Sequence, residues 1–284
     1  MSDKVPTGSD LSATGERLLT TGYGDNSLEH LHRYGLALQF CSGKRVLDIA
    51  SGEGYGSGLL AHVAESVTGV DISDETVAHA REKYRRPNLK FLQGAADSIP
   101  LPEASCDVVV SFETIEHHDR HDEMMGEIKR VLSSDGMLII SSPDKLNYSE
   151  DPQINNPFHV KELYREEFHV LVRKYFANVE GLSQKIFYGS LIAPEDDARG
   201  FTHYEGGFED LTAFAELQRP IYNLCVASDA PLPALPVSLY AGWQVFEAAL
   251  DSARQNGENA VIQSRAYRIG RALTWPARKL LGHD

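Results

Sequence analysis

The sequence predicts an α/β fold: a doubly wound parallel sheet with helices on both faces. Three observations carry this. From Lys44 onward, short apolar runs alternate with helical stretches of about 10–15 residues, the signature of strand–helix–strand units. The first apolar run ends in a glycine-rich turn that opens into a helix. The chain has 284 residues, 42% hydrophobic and 24% charged. That composition belongs to an ordinary globular protein and leaves room for one large domain with additions. It excludes wholesale disorder, collagen-like repeats and a disulfide scaffold.

The elements follow in order. Residues 1–26, rich in Gly, Ser, Thr and Asp, read as a flexible lead-in or a loop that orders on ligand binding. Ser27 is expected to cap a helix over 28–40, from the spacing of Leu28, Leu31, Gly35 and Leu38. Glu29 and Arg33 stand at i,i+4 on its expected outer face. Strands are predicted at 45–50, 66–71, 89–93, 107–112 and 136–141. Between them lie a glycine turn at 51–58 with a helix to about Glu65, a helix from the Ser73 cap to Tyr84, and a helix from Asp119 or Asp122 to Leu132. After Ser141 the texture changes. Residues 143–158 read as loop, 160–175 as helix, 178–187 as strand and 221–227 as a further strand. The stretch 189–219 is too long for a plain loop. Two terminal helices are predicted over 238–254 and 260–281. The expected organisation is an N-terminal segment and helix (1–43), a catalytic domain (44–228, with 189–219 inserted) and a helical extension (229–284).

Charge and cysteine usage narrow the function. The net charge of −14 repels phosphate, so nucleic acid is not an expected partner. Cys41, Cys106 and Cys225 are scattered and read as free buried thiols in a reducing compartment. The polar start carries no signal sequence, and no apolar run approaches a membrane span. The expected location is the cytoplasm, or the inner face of a membrane by way of the tail. Residues 261–284 hold five basic residues against one acidic, +4, which leaves −18 elsewhere. There Ile262, Ala266, Ile269, Leu273, Pro276 and Leu280 form an apolar stripe. This reads as a peripheral-membrane helix, a docking helix for a membrane-bound glycosyltransferase, or a helix packed on its own domain or on a second copy in a homodimer.

The most informative segment is Val46-Leu47-Asp48-Ile49-Ala50-Ser51-Gly52-Glu53-Gly54-Tyr55-Gly56. Gly52 and Gly54 let backbone approach a ligand, and the helix start offers free N–H groups, so a nucleotide-like ligand is expected at the end of the first strand. The dinucleotide pattern G-x-G-x-x-G is not met, since Ser57 and Leu59 occupy the sixth positions. Asp48 before the turn would repel a pyrophosphate and welcome an ammonium or sulfonium, which argues for S-adenosylmethionine over NAD.

This segment resembles the first motif of class I S-adenosylmethionine-dependent methyltransferases, with Ala50 in place of a more usual glycine. The resemblance covers roughly 28–187. It implies a Rossmann-like seven-stranded sheet whose last strand, here 221–227, runs antiparallel. It implies that Asp71 binds the ribose hydroxyls, Ile72 packs on adenine, and Ala96 and Asp97 read the adenine edge. Ser111, Phe112 and Glu113 would line the methionine end beside Asp48, Ala50, Ser51, Gly52 and Gly54. Asp71 and Asp97 are otherwise helix-cap or turn aspartates. A finer resemblance, through Ser111-Phe112-Glu113-Thr114-Ile115-Glu116-His117-His118 and Asn156-Pro157-Phe158-His159-Val160-Lys161-Glu162, is to a bacterial subgroup associated with surface-polysaccharide (O-antigen) and glycosyltransferase systems.

Transfer to a hydroxyl is helped by a general base. His117, His118 and His159 are the candidates, His117 first; otherwise His117 only bonds the helix start, His118 is exposed without a role, and His159 is a loop residue bonded to backbone. His30 and Tyr34 on the N-terminal helix, and Asp144 after the fifth strand, are candidate contacts for a glycan or small-molecule acceptor. His117, His118, Asp119, His121 and Asp122 invite a metal reading, but H-E-x-x-H is absent and a solvated polar turn is expected instead. No metal ligands are assigned.

Overall fold

The computed structural model describes residues 18–20, 25–187, 189–194, 203–206, 211–214, 216–265, 267 and 269. Helix α1 (Asp25–Cys41) precedes β1 (Arg45–Ile49), α2 (Tyr55–Leu60), β2 (Ser66–Asp71), α3 (Asp74–Lys83) and β3 (Leu89–Gln93). Then come β4 (Cys106–Ser111), a 3-10 turn (Ile115–His117), α4 (His121–Val131), β5 (Leu132–Pro143), a π-helical turn (Lys145–Glu150) and α5 (Arg165–Tyr175). The chain continues through β6 (Asn178–Phe187), β7 (Gly189–Pro194), β8 (His203–Gly206), β9 (Leu211–Phe214), β10 (Tyr222–Ser228), β11 (Ser238–Tyr240) and α6 (Trp243–Gln263).

The sheet order is β11-β7-β6-β10-β5-β4-β1-β2-β3. The pairs β4–β5, β4–β1, β1–β2 and β2–β3 are parallel, and β10 lies antiparallel between β5 and β6. The Rossmann-like seven-stranded sheet is thus present, with the antiparallel strand at the expected sequence position. Two strands extend it: β7 pairs with β6, and β11 pairs with β7. Part of the 189–219 stretch is therefore sheet edge, and β8 and β9 form a separate hairpin.

Side-chain alternation divides the core. Val46, Val67, Val108, Val110, Leu224 and Val226 pack with α1 and α2 on one face, and α3 sets Val77 and Ala80 on Phe91. Leu47, Ile49, Val109, Leu138 and Ile140 meet α4 and α5 on the other. All three cysteines are free and buried.

Several expectations change. Ser27 lies inside α1, which already begins at Asp25, so it is not the cap. Helix α2 ends at Leu60 rather than near Glu65. The helix expected from 160 begins at Arg165, because the N–H groups of Val160 and Lys161 bond to the Glu116 carbonyl at 2.8 and 3.0 Å. The loop expected over 143–158 contains the π-helical turn. Residues 238–240 are strand, and one helix, α6, replaces the first of two expected helices and reaches into the second. Of the apolar stripe in the tail, Ala266, Leu273, Pro276 and Leu280 lie outside the described residues, as does most of the lead-in. Among the described residues no helix is long and apolar enough to cross a membrane.

Candidate active site

The carboxyl ends of β1, β2 and β4 open onto a cleft of about 410 Å³. Its floor is the glycine turn. Ala50 (φ +55°), Gly52 (+54°) and Gly54 (+97°) all adopt left-handed backbone there. For Ala50 this is strained, and Glu113 at the end of β4 is strained likewise (φ +50°). A Cβ at Gly54 would lie 2.9 Å from the Phe91 ring, and one at Gly56 would lie 1.9 Å from the Tyr34 ring. Both glycines therefore serve close packing of the turn.

Two carboxylates hold the turn from below and beside. Asp71 accepts from Gly52 N at 2.9 Å and from Ser73 N at 3.0 Å, one bond per oxygen. Asp48 is buried and accepts from Ser57 Oγ (2.6 Å) and from Tyr34 Oη (3.1 Å). Burial pushes its pKa up to about 6, against the pull of the Ser57 and Tyr34 hydroxyls. Ile72 stands 73% exposed on the cleft wall, beside Ala96 and Asp97. Asp97 pairs with Arg120 Nη1 at 2.5 Å. Ser51 Oγ and Ser111 Oγ are buried without a hydrogen-bond partner.

A second cavity of about 170 Å³ continues past the turn, lined in part by Asn26, His30, Tyr34, Ser51, Tyr55 and Phe112. Ala50, Gly52, Glu113 and His117 line both spaces. His30 bonds to Tyr55 Oη at 2.9 Å, and burial, then the Arg33 charge, lowers its pKa to about 3. Tyr34, expected to meet the acceptor, lines this cavity; it is largely buried, and its hydroxyl donates to Asp48 beneath the turn.

Glu29 and Arg33 are not on a solvated face. Arg33 is fully buried: Nε donates to Gln184 Oε1 (2.8 Å), Nη1 lies 3.2 Å from Glu113 Oε1, and the guanidinium sits 4.3 Å from the Tyr222 ring centroid. Tyr222 donates to Glu29 at 2.8 Å. Ser141 Oγ donates to Glu113 Oε1 at 2.6 Å. Glu113 is thus held between Arg33 and Ser141. The sequence reading missed Arg33, Gln184 and Ser141, because Gln184 is 151 residues from Arg33 and nothing local marks the pair.

The three histidine candidates separate. His117 Nδ1 lies 3.1 Å from the Phe158 carbonyl, which can only accept, so that nitrogen carries a proton and Nε2 is the basic one. His118 lines only the cofactor-side cleft; its Nδ1 accepts from Arg120 N, and burial, then His121, lowers its pKa. His159 lines neither space. It stacks on Tyr148, bonds through Nδ1 to Glu162 Oε1, and meets the His117 ring at 5.2 Å. Asp144 is buried, accepts from the Asn147 amide and lines neither of these two spaces. The 118–122 group is spent locally: His121 Nε2 donates to the His118 carbonyl and Asp122 accepts from Lys174. Glu116, which the sequence reading left unassigned, is buried, and burial, then Glu113, pushes its pKa well above the usual carboxylate range.

A third, largely apolar pocket of about 240 Å³ abuts the second cavity, sharing Leu18 and Tyr55, and is closed by Leu19, Leu31 and Val245.

Comparison with known proteins bears on this arrangement. A family model for a methyltransferase domain matches residues 47–140, from β1 through β5. A Mycolicibacterium smegmatis protein named "Probable S-adenosylmethionine-dependent methyltransferase" is 36% identical over 196 residues, 68% of this chain and 75% of that protein. A fatty-acid O-methyltransferase of the same organism is 29% identical over 120 residues, 39% of this chain and 44% of that protein. Among solved structures, the YcgJ protein from Bacillus subtilis superposes with a TM-score of 0.52 at 20% identity, covering 71% of this chain and all (100%) of that one, which speaks to the fold.

Proposed function

The chain belongs to the S-adenosylmethionine-dependent methyltransferases, and on that footing we propose that it methylates a sugar hydroxyl of a bacterial surface glycan or its lipid-linked precursor. The observation that carries this reading is the position of His117, which lines both the nucleotide-side cleft and the adjoining cavity.

The cleft fits S-adenosylmethionine on its own evidence. Ile72 offers an exposed apolar shelf for adenine, and Asp71 retains acceptor capacity for ribose hydroxyls beyond its two backbone bonds. The unpartnered Ser51 Oγ adjoins the turn where the methionine end would lie. When bound, S-adenosylmethionine supplies a methyl group on a sulfonium sulfur. The chain's own part is to hold the acceptor oxygen in line and to remove its proton. Holding two reactants at near-attack distance contributes several kcal/mol, on the order of 7–11 at best. His117 is the group assigned to activating the hydroxyl, since it lines both spaces and its Nδ1 proton is held by the Phe158 carbonyl, which leaves Nε2 as the acceptor.

The second cavity is lined mainly by polar side chains, among them Asn26, His30, Ser51 and Glu113. That favours a polyhydroxyl acceptor over a quinone, which calls for an apolar pocket. The apolar pocket beyond Tyr55 favours an acceptor that also carries an alkyl chain, consistent with a lipid-linked precursor and with the fatty-acid O-methyltransferase among the relatives. The test is methyl transfer from labelled S-adenosylmethionine to free sugars, nucleotide sugars, glycolipids and fatty acids. Label in a glycolipid methyl ether supports the reading, and label only in a fatty-acid ester overturns the sugar assignment. His117→Ala should retain cofactor affinity and lower turnover by about 10²–10⁴-fold; wild-type turnover would move the activating group elsewhere.

A further inference from the structure

Glu116 and His117 end one turn, and His159 arrives from a loop about forty residues on. One donor atom from each of the three lies within 4.8 Å of the others. The geometry points to a binding site for a divalent transition-metal ion held by Glu116, His117 and His159 at the edge of the acceptor cavity. Two imidazoles and one carboxylate are a donor set taken by ions such as Zn²⁺ or Fe²⁺, whereas Mg²⁺ and Ca²⁺ favour oxygen alone.

Three observations support the site beyond proximity. First, a metal-bound histidine almost always gives its other ring N–H to a carbonyl or carboxylate. His117 Nδ1 faces the Phe158 carbonyl and His159 Nδ1 faces Glu162, whose Oε1 also accepts from Ser149 Oγ at 2.7 Å. Both rings are thereby oriented with Nε2 as the ligand atom. Second, Glu116 is buried and its Oε2 has no hydrogen-bond partner. A buried carboxyl oxygen without a partner calls for one, and a bound cation supplies it. Third, the two segments are fastened together by the bonds from Val160 N and Lys161 N to Glu116 O.

Ligation at ordinary Zn–N and Zn–O lengths draws the three donors about 1 Å closer. It also replaces the bond that His159 Nε2 now accepts from Asn156 Nδ2 at 2.9 Å. The role of the ion rests on the methyl-transfer reading above; the site itself does not. Bound beside the acceptor, the ion lowers the pKa of the acceptor hydroxyl, and the proton passes to water. His117 then activates the hydroxyl as a ligand of the ion rather than by taking the proton itself. The methyl group moves from sulfonium sulfur to that oxygen, leaving the thioether S-adenosylhomocysteine.

The test is calorimetry of the full chain, stripped of metal, titrated with ZnCl₂ and, as control, MgCl₂. The expected result is one Zn²⁺ per chain. Binding should weaken at least tenfold in Glu116→Gln and His159→Ala and stay unchanged in His62→Ala, an exposed histidine bonded to Arg86. Glu162→Gln, which leaves all three ligands in place, should weaken it by about 10–100-fold through the orientation of His159. Absence of saturable Zn²⁺ binding overturns the site, as does equal affinity in Glu116→Gln and His159→Ala. Each preparation is also titrated with S-adenosylhomocysteine. S-adenosylhomocysteine binding without Zn²⁺ binding refutes the ion site alone. Zn²⁺ binding without product binding refutes the methyl-transfer reading and leaves the ion site standing.

Discussion

Replacing Asp48 with asparagine should change how stability responds to pH, in a direction and amount the structure fixes. The carboxyl lies 1% exposed beneath the glycine turn, with two hydroxyl donors. Burial raises its pKa from 3.8 to about 6. A carboxyl raised on folding favours the folded state where it is protonated there. That contribution is full below its unfolded pKa and is lost as pH rises through its folded pKa. The whole loss corresponds to about 3 kcal/mol. Roughly half of it, about 1–2 kcal/mol, falls between about pH 5 and about pH 8. Asparagine does not titrate and can still accept from Tyr34 and meet the Ser57 hydroxyl. Urea unfolding of both proteins at the two pH values isolates the difference, since changed hydrogen-bond strength shifts both points equally. The variant should gain on the wild type by about 1–2 kcal/mol as pH rises. Parallel pH profiles would refute a buried, destabilised carboxylate at this position.

Arg33→Met should destabilise the fold by about 3–5 kcal/mol in chemical denaturation, because Glu113 and Glu29 lose the cation buried beside them; a change below about 1 kcal/mol would mean that Glu113 is held by Ser141 alone. Gly56→Ala should cost about 1–3 kcal/mol by displacing the Tyr34 ring, and should cost much less in a Tyr34→Leu background. An unchanged penalty in that background would assign the effect to the backbone instead.

What could be read from the sequence was what local order encodes. The glycine turn after β1 and the Ser73 cap of α3 are each specified by neighbours a few residues apart, and the structure places them as read; the bond from Gly52 N to Asp71, 19 residues on, was not legible there. Glu29 and Arg33 were misread because an i,i+4 charge pair looks the same on a solvated face and in a core. Gln184 and Tyr222, on distant strands, make this face interior. Strand β11 was hidden inside a helical pattern because only three residues pair, and only against β7. The cluster of Glu116, His117 and His159 was invisible for a similar reason. It depends on backbone bonds between the turn after β4 and the loop before α5.

Asp71 is the residue proposed to hold S-adenosylmethionine in the cleft at the carboxyl ends of β1 and β2. The direct measurement is calorimetric titration of the wild-type chain and of Asp71→Ala with S-adenosylhomocysteine. Saturable binding is expected of the wild type, weakened by about 1.5–3 kcal/mol in the variant, the range for hydrogen bonds to a charged group. A folded wild-type chain that binds no S-adenosylhomocysteine, or an Asp71→Ala variant that binds it as tightly, would contradict it.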